Sequence, residues 1–308
     1  MSAAADLGRP GPVPWVCPVC REHLEVAPGR LVCSRAHSFD EARQGYVNLL
    51  VATQRRSRQP GDSKEMVDAR HRFLSSGAYD RVSDATAHLA QRATIAAAER
   101  GGGCPLVLDV GCGEGRHTRR VAAAFETGDG TADPVTAVVA GIDVAKPAVA
   151  LAARLHPAGW YAVASAGDLP LAPASVDVAI GVFAPMFGEE LARVVRPGGT
   201  VIAVHPGPDH LATLRRLVYD EPRPHEVKDP LRDTPELFAR VGTMTVTFPL
   251  VISDAERLVD LFAMTPYRWH APVGIGERLA TEARRPGGFE TEIDVMLSTY
   301  RRTARTSL

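Results

Sequence analysis

Beyond about residue 100, short apolar runs alternate with segments of helical period, and this alternation dominates the chain. Leu106-Val107-Leu108-Asp109-Val110 is apolar at all positions but one, as a strand covered on both faces must be, and residues 116–125 follow with helical spacing. The rhythm continues with strands over 136–142, 160–164 and 176–181, a helix over 189–195, a turn at Arg196-Pro197-Gly198-Gly199 and a strand over 200–205. Strands alternating with helices predict an α/β fold whose sheet is doubly wound and mostly parallel. Further on, residues 243–251 alternate like a strand, 254–264 have helical spacing, and 290–298 read as an antiparallel edge strand. Residues 126–135, rich in Gly, Asp and Thr, read as a surface-loop insertion between the first two strands. Three segments result: a small unit over 1–50, a largely helical connector over 51–100, and the α/β domain over 101–308.

Composition narrows this picture only a little. With 308 residues, 45% hydrophobic and 23% charged, the chain has the proportions of a globular protein of about two domains. No stretch of eighteen apolar residues occurs and Met1–Gly11 has no apolar h-region, so a cytoplasmic location and no membrane are expected. A net charge of −1 does not announce a nucleic-acid binder. Lysine occurs only at Lys64, Lys146 and Lys228, so nearly every cation is an arginine. That suits planar recognition of phosphates and bases, and it equally fits a GC-rich genome. Arg55, Arg56, Arg58, Lys64, Arg70 and Arg72 form a local basic stretch that reads as a solvated linker or as one wall of an RNA cleft. Cys104 and Cys112 read as small buried residues.

Two motifs carry chemistry. The first is Cys17-x2-Cys20, twelve residues, then Cys33-x3-His37. Three thiolates and an imidazole at this spacing can close a tetrahedral zinc site with no open position, which makes the metal structural; the competing expectation is a disulfide with two free thiols. The second is the turn Gly111-Cys112-Gly113-Glu114-Gly115, placed between a strand and a helix. Its glycines let a ligand approach the backbone closely, and the helix start offers free N–H groups. Dinucleotide folds use a similar turn, but Glu114 would repel a pyrophosphate. Asp143, at the next strand end, can accept ribose hydroxyls. Asp168 lies in an acidic turn, Ala166–Pro170, and Phe183-Ala184-Pro185 falls at a strand end where this fold places its chemistry.

Taken together, Cys17-Pro-Val-Cys20, Cys33-x3-His37-Ser-Phe-Asp40, Gly45-Tyr-Val-Asn-Leu-Leu50, Arg56-Ser-Arg58, Pro60-Gly-Asp-Ser63, Gly77-x-Tyr79, Asp109-x-Gly-Cys-Gly-Glu-Gly115, Pro206-Gly-Pro208 with His210, and Met264-Thr-Pro266 resemble the 23S ribosomal RNA guanine-N1-methyltransferases. The match is dense from about residue 17 to 211. The resemblance implies a class I S-adenosylmethionine-dependent methyltransferase domain, a Rossmann-like doubly wound sheet, behind a zinc-ribbon-like RNA-recognition unit. It makes Cys17, Cys20, Cys33 and His37 ligands of one structural Zn2+. It sets Tyr79, Asp109, Gly111, Gly113, Glu114 and His210 against S-adenosylmethionine, with Asp143 and Asp168 at its ribose and adenine. A 23S rRNA hairpin loop is the implied partner, and a homodimer the implied assembly. One branch of the family modifies nucleotide 748 and confers resistance to tylosin and mycinamicin; the Arg- and Ala-rich composition favours it. The alternatives are the housekeeping modification at nucleotide 745, a small-molecule methyltransferase of secondary metabolism, and a non-enzymatic RNA-binding protein. Transfer to guanine N1 requires loss of its proton, for which Glu114, Asp168 and His205 are candidates that the sequence does not separate. Phe183, Phe187 and Tyr267-Arg268-Trp269 are candidate stacking groups for a splayed-out base.

Overall fold

The structure, a computed structural model, describes residues 9, 11–51, 61–101, 103–127, 136–219, 221–270 and 272–304. Near the N-terminus β1 (Leu24–Ala27), β2 (Arg30–Cys33) and β3 (Ser38–Asp40) form an antiparallel sheet. After it come β4 (Tyr46–Asn48) and two helices, α1 (Lys64–Ser75) and α2 (Asp80–Glu99). Ser63 caps α1 by accepting a hydrogen bond from the Met66 N–H at 3.4 Å.

The predicted α/β alternation follows: β5 (Leu106–Val110), α3 (Arg116–Thr127), β6 (Val138–Asp143), α4 (Lys146–Leu155), β7 (Trp160–Val163), β8 (Val176–Val182), α5 (Gly188–Val194) and β9 (Val195–Pro206). The chain closes with α6 (Ala212–Val218), β10 (Phe238–Ile252), α7 (Ala255–Ala263), α8 (Ile275–Ala283) and β11 (Phe289–Arg302). Eight strands share one sheet in the order β10-β11-β9-β8-β5-β6-β7-β4. Only β11 runs against its neighbours. The strand order reverses between β5 and β8, so the crevice at their carboxyl ends is where a ligand binds in such a sheet.

The two faces of the sheet are covered differently. On one face Val107, Val139, Ile180 and Val204 pack with residues of α2, α3, α6, α7 and α8. On the other, Leu106, Leu108, Ala140 and Ala162 pack with α5 and with Trp15, Leu24 and Leu31 of the N-terminal unit. No helix joins β7 to β8. The surface that such a helix would cover is instead covered by the N-terminal unit, whose β4 also extends the sheet by pairing parallel to β7. Residues 14–16 run antiparallel to 170–172: the Val16 N–H donates to Pro170 at 2.9 Å and the Ala172 N–H to Pro14 at 3.0 Å.

Several expectations need correction. β11 is antiparallel but not an edge: it pairs with β9 and β10, and β10, exposed along most of its length, is the edge. The Arg196–Gly199 turn is a bulge within β9, where the register slips between Val176 and Val178 and Gly198 has φ +74°. Cys104 is exposed while Cys112 is buried. The expected loop insertion at 126–135 lies mostly outside the described residues, as do Arg55, Arg56 and Arg58. Lys64, Arg70 and Arg72 are not free cations: they pair with Asp68, Asp62 and Asp260 respectively.

Candidate cofactor and zinc sites

The turn after β5 is shaped by its glycines. Gly111, Gly113 and Gly115 have φ of +72°, +55° and +78°, which residues with a Cβ adopt only with strain. A Cβ on Gly111 would fall 2.6 Å from the Cβ of Ala184, and one on Gly115 would fall 2.9 Å from that of Ala152. The turn is therefore pressed between the end of β8 and α4. The Gly113 N–H donates to Asp143 at 3.0 Å, and the other carboxylate oxygen of Asp143 accepts from the Ala145 N–H at 2.8 Å. Arg70 of α1 reaches over the turn, 3.8 Å from where a Cβ on Gly113 would stand.

Three carboxyls surround this turn. Asp109 is buried on β5 and accepts from the Thr118 hydroxyl at 2.5 Å through one oxygen only. Burial pushes its carboxyl up to about 7. Glu114 is also buried, 3.3 Å from His71 and 3.5 Å from Arg119, and burial raises it despite the Arg119 guanidinium. Asp143 is raised by burial as well. Asp109 Oδ1 and Glu114 Oε1 have no hydrogen-bond partner among the described residues. Buried, under-satisfied acids beside a tight glycine cradle suit a ligand that is cationic and closely approached.

At the far side of the crevice lie Tyr79 and His210, 131 positions apart in sequence. The Tyr79 hydroxyl is 3.2 Å from His210 Nε2, and the Asp294 N–H donates to His210 Nδ1 at 3.3 Å. Burial pushes the imidazole down to about 3, so the ring is neutral. A neutral ring that accepts at Nδ1 carries its proton on Nε2 and donates to Tyr79, which leaves the tyrosine proton free for another acceptor. Asp294 also fixes the backbone before His210. Its carbonyl accepts from the Gly207 N–H at 2.8 Å and its side chain from the Asp209 N–H at 3.0 Å.

Cys17, Cys20, Cys33 and His37 converge, with all four ligand atoms within 4.8 Å of one another. Three edges of the cluster are 3.6 Å (Cys17 to His37 Nδ1), 3.6 Å (Cys20 to Cys33) and 3.4 Å (Cys33 to His37 Nδ1). A tetrahedron with Zn–S of about 2.3 Å and Zn–N of about 2.0 Å has edges of roughly 3.5–3.8 Å, so the donor set fits zinc. Two matching turns present the ligands. The Arg21 N–H donates to Cys17 and the Ala36 N–H to Cys33, and Arg21 and Ala36 both have φ near +60°.

The chain is 39% identical over 281 residues, 86% of its length, to a Micromonospora griseorubida protein provisionally named a 23S rRNA (guanine-N1)-methyltransferase, 90% of which is covered. It is 36% identical to the 23S rRNA (guanine(748)-N1)-methyltransferase of Streptomyces fradiae, over 92% of this chain and 95% of that one. The chain belongs to the 23S rRNA (guanine-N1)-methyltransferase family. A Bacillus subtilis relative, provisionally given the family's activity, is 29% identical over 83% of this chain and 87% of its own. A zinc-ribbon family described as "RlmA, N-terminal" matches residues 15–58, and a family described as "Methyltransferase domain" matches 107–199. As a member of the guanine-N1-methyltransferase family the chain uses S-adenosylmethionine as methyl donor and holds a structural zinc. The donor's sulfonium and ammonium fit the acids around the glycine turn.

Of the other residues singled out in the sequence, Asp168 takes an ion pair from Arg21, the residue after the second zinc cysteine. His205 lies on β9, its Nε2 3.2 Å from the Ser298 hydroxyl, and burial lowers it. Glu114 is buried beside the turn, with one carboxylate oxygen against His71 and Arg119 and the other without a hydrogen-bond partner among the described residues. Sequence reasoning missed His71, Thr118, Arg21 and Asp294. All four act on a site residue from a different element, and their spacing in sequence carries no trace of it.

Proposed function

We propose that this enzyme methylates N1 of guanine 748 in a hairpin loop of 23S rRNA and so confers resistance to macrolides such as tylosin and mycinamicin. The choice of nucleotide is supported by the Streptomyces fradiae relative, whose name specifies position 748 and which matches over 92% of this chain. The cofactor contacts follow from the same reading: the glycine turn with Asp109 and Glu114 holds the methionine end, Asp143 the ribose, Asp168 the adenine, and Tyr79 with His210 closes the pocket. Guanine N1 is engaged in a Watson–Crick pair when the base is stacked in a duplex, so a loop base that can be splayed out is the substrate. The main work of the site is orientation of N1 in line with the donor methyl. The zinc-ribbon unit presents the hairpin, the enzyme works in the cytoplasm where that RNA resides, and a homodimer completes this reading on the strength of the family resemblance.

Incubation of the protein with S-adenosylmethionine and unmodified 23S rRNA, followed by primer extension, tests the proposal. A new reverse-transcription stop at guanine 748 is expected, because a methyl on N1 blocks pairing. A stop at 745 instead would make this a housekeeping enzyme, and methylation confined to other nucleotides would overturn the reading.

A further inference from the structure

The backbone at the end of β8 does something unusual. Phe183 has φ +54°, a conformation that a bulky aromatic residue adopts only when its surroundings impose it. Its N–H donates to the Val204 carbonyl at 2.8 Å, which anchors it to β9, and the next residue, Ala184, is the one pressed against Gly111. The phenyl ring is thus carried by the residue next to the one that contacts the glycine cradle. One face of that ring stacks on His210, with centroids 5.4 Å apart and planes at 29°, and Tyr79 meets it edge-on at 6.2 Å. Even so, Phe183 is 43% exposed. A large apolar side chain held in strained backbone, stacked on one face and still nearly half exposed, is arranged to receive a flat partner.

The other exposed aromatics differ in this respect. Trp269, 67% exposed, has over its ring only the guanidinium of its neighbour Arg268, at 5.0 Å, and no buried ring behind it among the described residues. Phe187 lies against Gly167, next to Asp168, about 3.7 Å from where a Cβ there would stand. That position belongs to the adenine side of the cofactor.

We propose that Phe183 is the platform on which the target guanine stacks, with the His210 ring behind it setting the height of the base above the glycine turn. The inference rests on the enzyme's action on a 23S rRNA guanine. A purine laid on the exposed part of Phe183 lies beside the turn that holds the methyl donor. His210 supports the ring from behind as a neutral, rigid plane because the Asp294 N–H and the Tyr79 hydroxyl occupy both its nitrogens.

The test compares Phe183→Ala, Phe183→Leu and Phe183→Trp with wild type. It measures kcat and KM for a 23S rRNA fragment carrying the 748 loop, and affinity for S-adenosylhomocysteine by calorimetry. Base–aromatic stacking is worth enough that kcat/KM for the RNA should fall about tenfold or more in the Ala and Leu variants, while Trp, which restores an aromatic face, stays within about threefold of wild type. Affinity for S-adenosylhomocysteine should stay within about twofold in all three. Wild-type kinetics in the Leu variant, or loss of S-adenosylhomocysteine affinity in step with RNA activity, would overturn the platform assignment. If wild type itself left the 748 loop unmethylated, the functional reading would fail first and the platform would fall with it.

Discussion

His210 shows how much of the site is decided by single hydrogen bonds. Its motif, Pro206-Gly-Pro208 with His210, is visible in the sequence, as is Tyr79, but their pairing is not, because it joins the start of α2 to a loop 131 residues later. The tautomer is set by Asp294, a residue with no sequence signal of its own, since an acid within a strand otherwise reads as solvent-facing. The ring's neutrality has a consequence for stability. In the unfolded chain the imidazole takes up a proton below about 6.5, whereas in the fold it does so only near 3. Between these values the unfolded state binds the extra proton, so His210 makes the protein less stable as pH falls. His210→Asn keeps an acceptor for the Asp294 N–H and removes the titration. Urea unfolding at pH 7, 6 and 5 should therefore show the stability difference between wild type and variant shifting against wild type by roughly 1.4 kcal/mol per pH unit below 6.5. Parallel profiles would mean that the ring is not held neutral.

At the level of elements, what the sequence displays clearly is burial on both faces. β5, β6, β7 and β8 are near-continuous apolar runs and are found where they are expected. The strands beyond them are harder to place. β10 alternates as expected over 243–251, but its exposure along most of its length leaves its edge position and its start at Phe238 without a signal, and the glycines at 198–199 mimic a turn although the chain stays in the sheet. Two glycines with nearly equal φ separate conformational strain from steric contact. Gly111→Ala meets both the left-handed backbone and the Ala184 Cβ at 2.6 Å, whereas Gly198→Ala, at φ +74°, has open space around the new methyl. Gly198→Ala should cost about 1 kcal/mol of stability and leave S-adenosylhomocysteine affinity unchanged. Gly111→Ala should lower that affinity tenfold or more by displacing the turn from the end of β8. Calorimetric titration of both variants decides the matter, and equal affinities would show that the 2.6 Å contact relaxes freely.

Across the whole molecule, the zinc-ribbon unit takes the place of a helical layer on the sheet. The four ligands are legible from spacing alone, and the short stretch between the strands at 160–164 and 176–181 already leaves no room for a crossover helix, but nothing local in sequence says that Trp15, Leu24 and Leu31 dock in its place. Residues 14–16 and Arg21 hold the Asp168 loop, so on the proposed assignment of Asp168 to the adenine the metal and the cofactor pocket share a wall. Removing zinc by chelation, or by Cys17→Ser, should therefore weaken S-adenosylhomocysteine binding as well as emptying the metal site. Unchanged affinity in the metal-free protein would show that the loop holds its shape without the ribbon. The pairing of Trp15 with Leu171 also dictates an order of events during synthesis. The ribbon leaves the ribosome first and can close around zinc from its own residues, yet the surface it must cover is made about 150 residues later. At roughly 5–20 residues per second that interval is on the order of ten to thirty seconds. Throughout it the newborn ribbon carries a greasy, unshielded flank past the ribosome's own RNA and proteins, which makes early metal capture a means of keeping the nascent chain out of aggregates until its own sheet arrives.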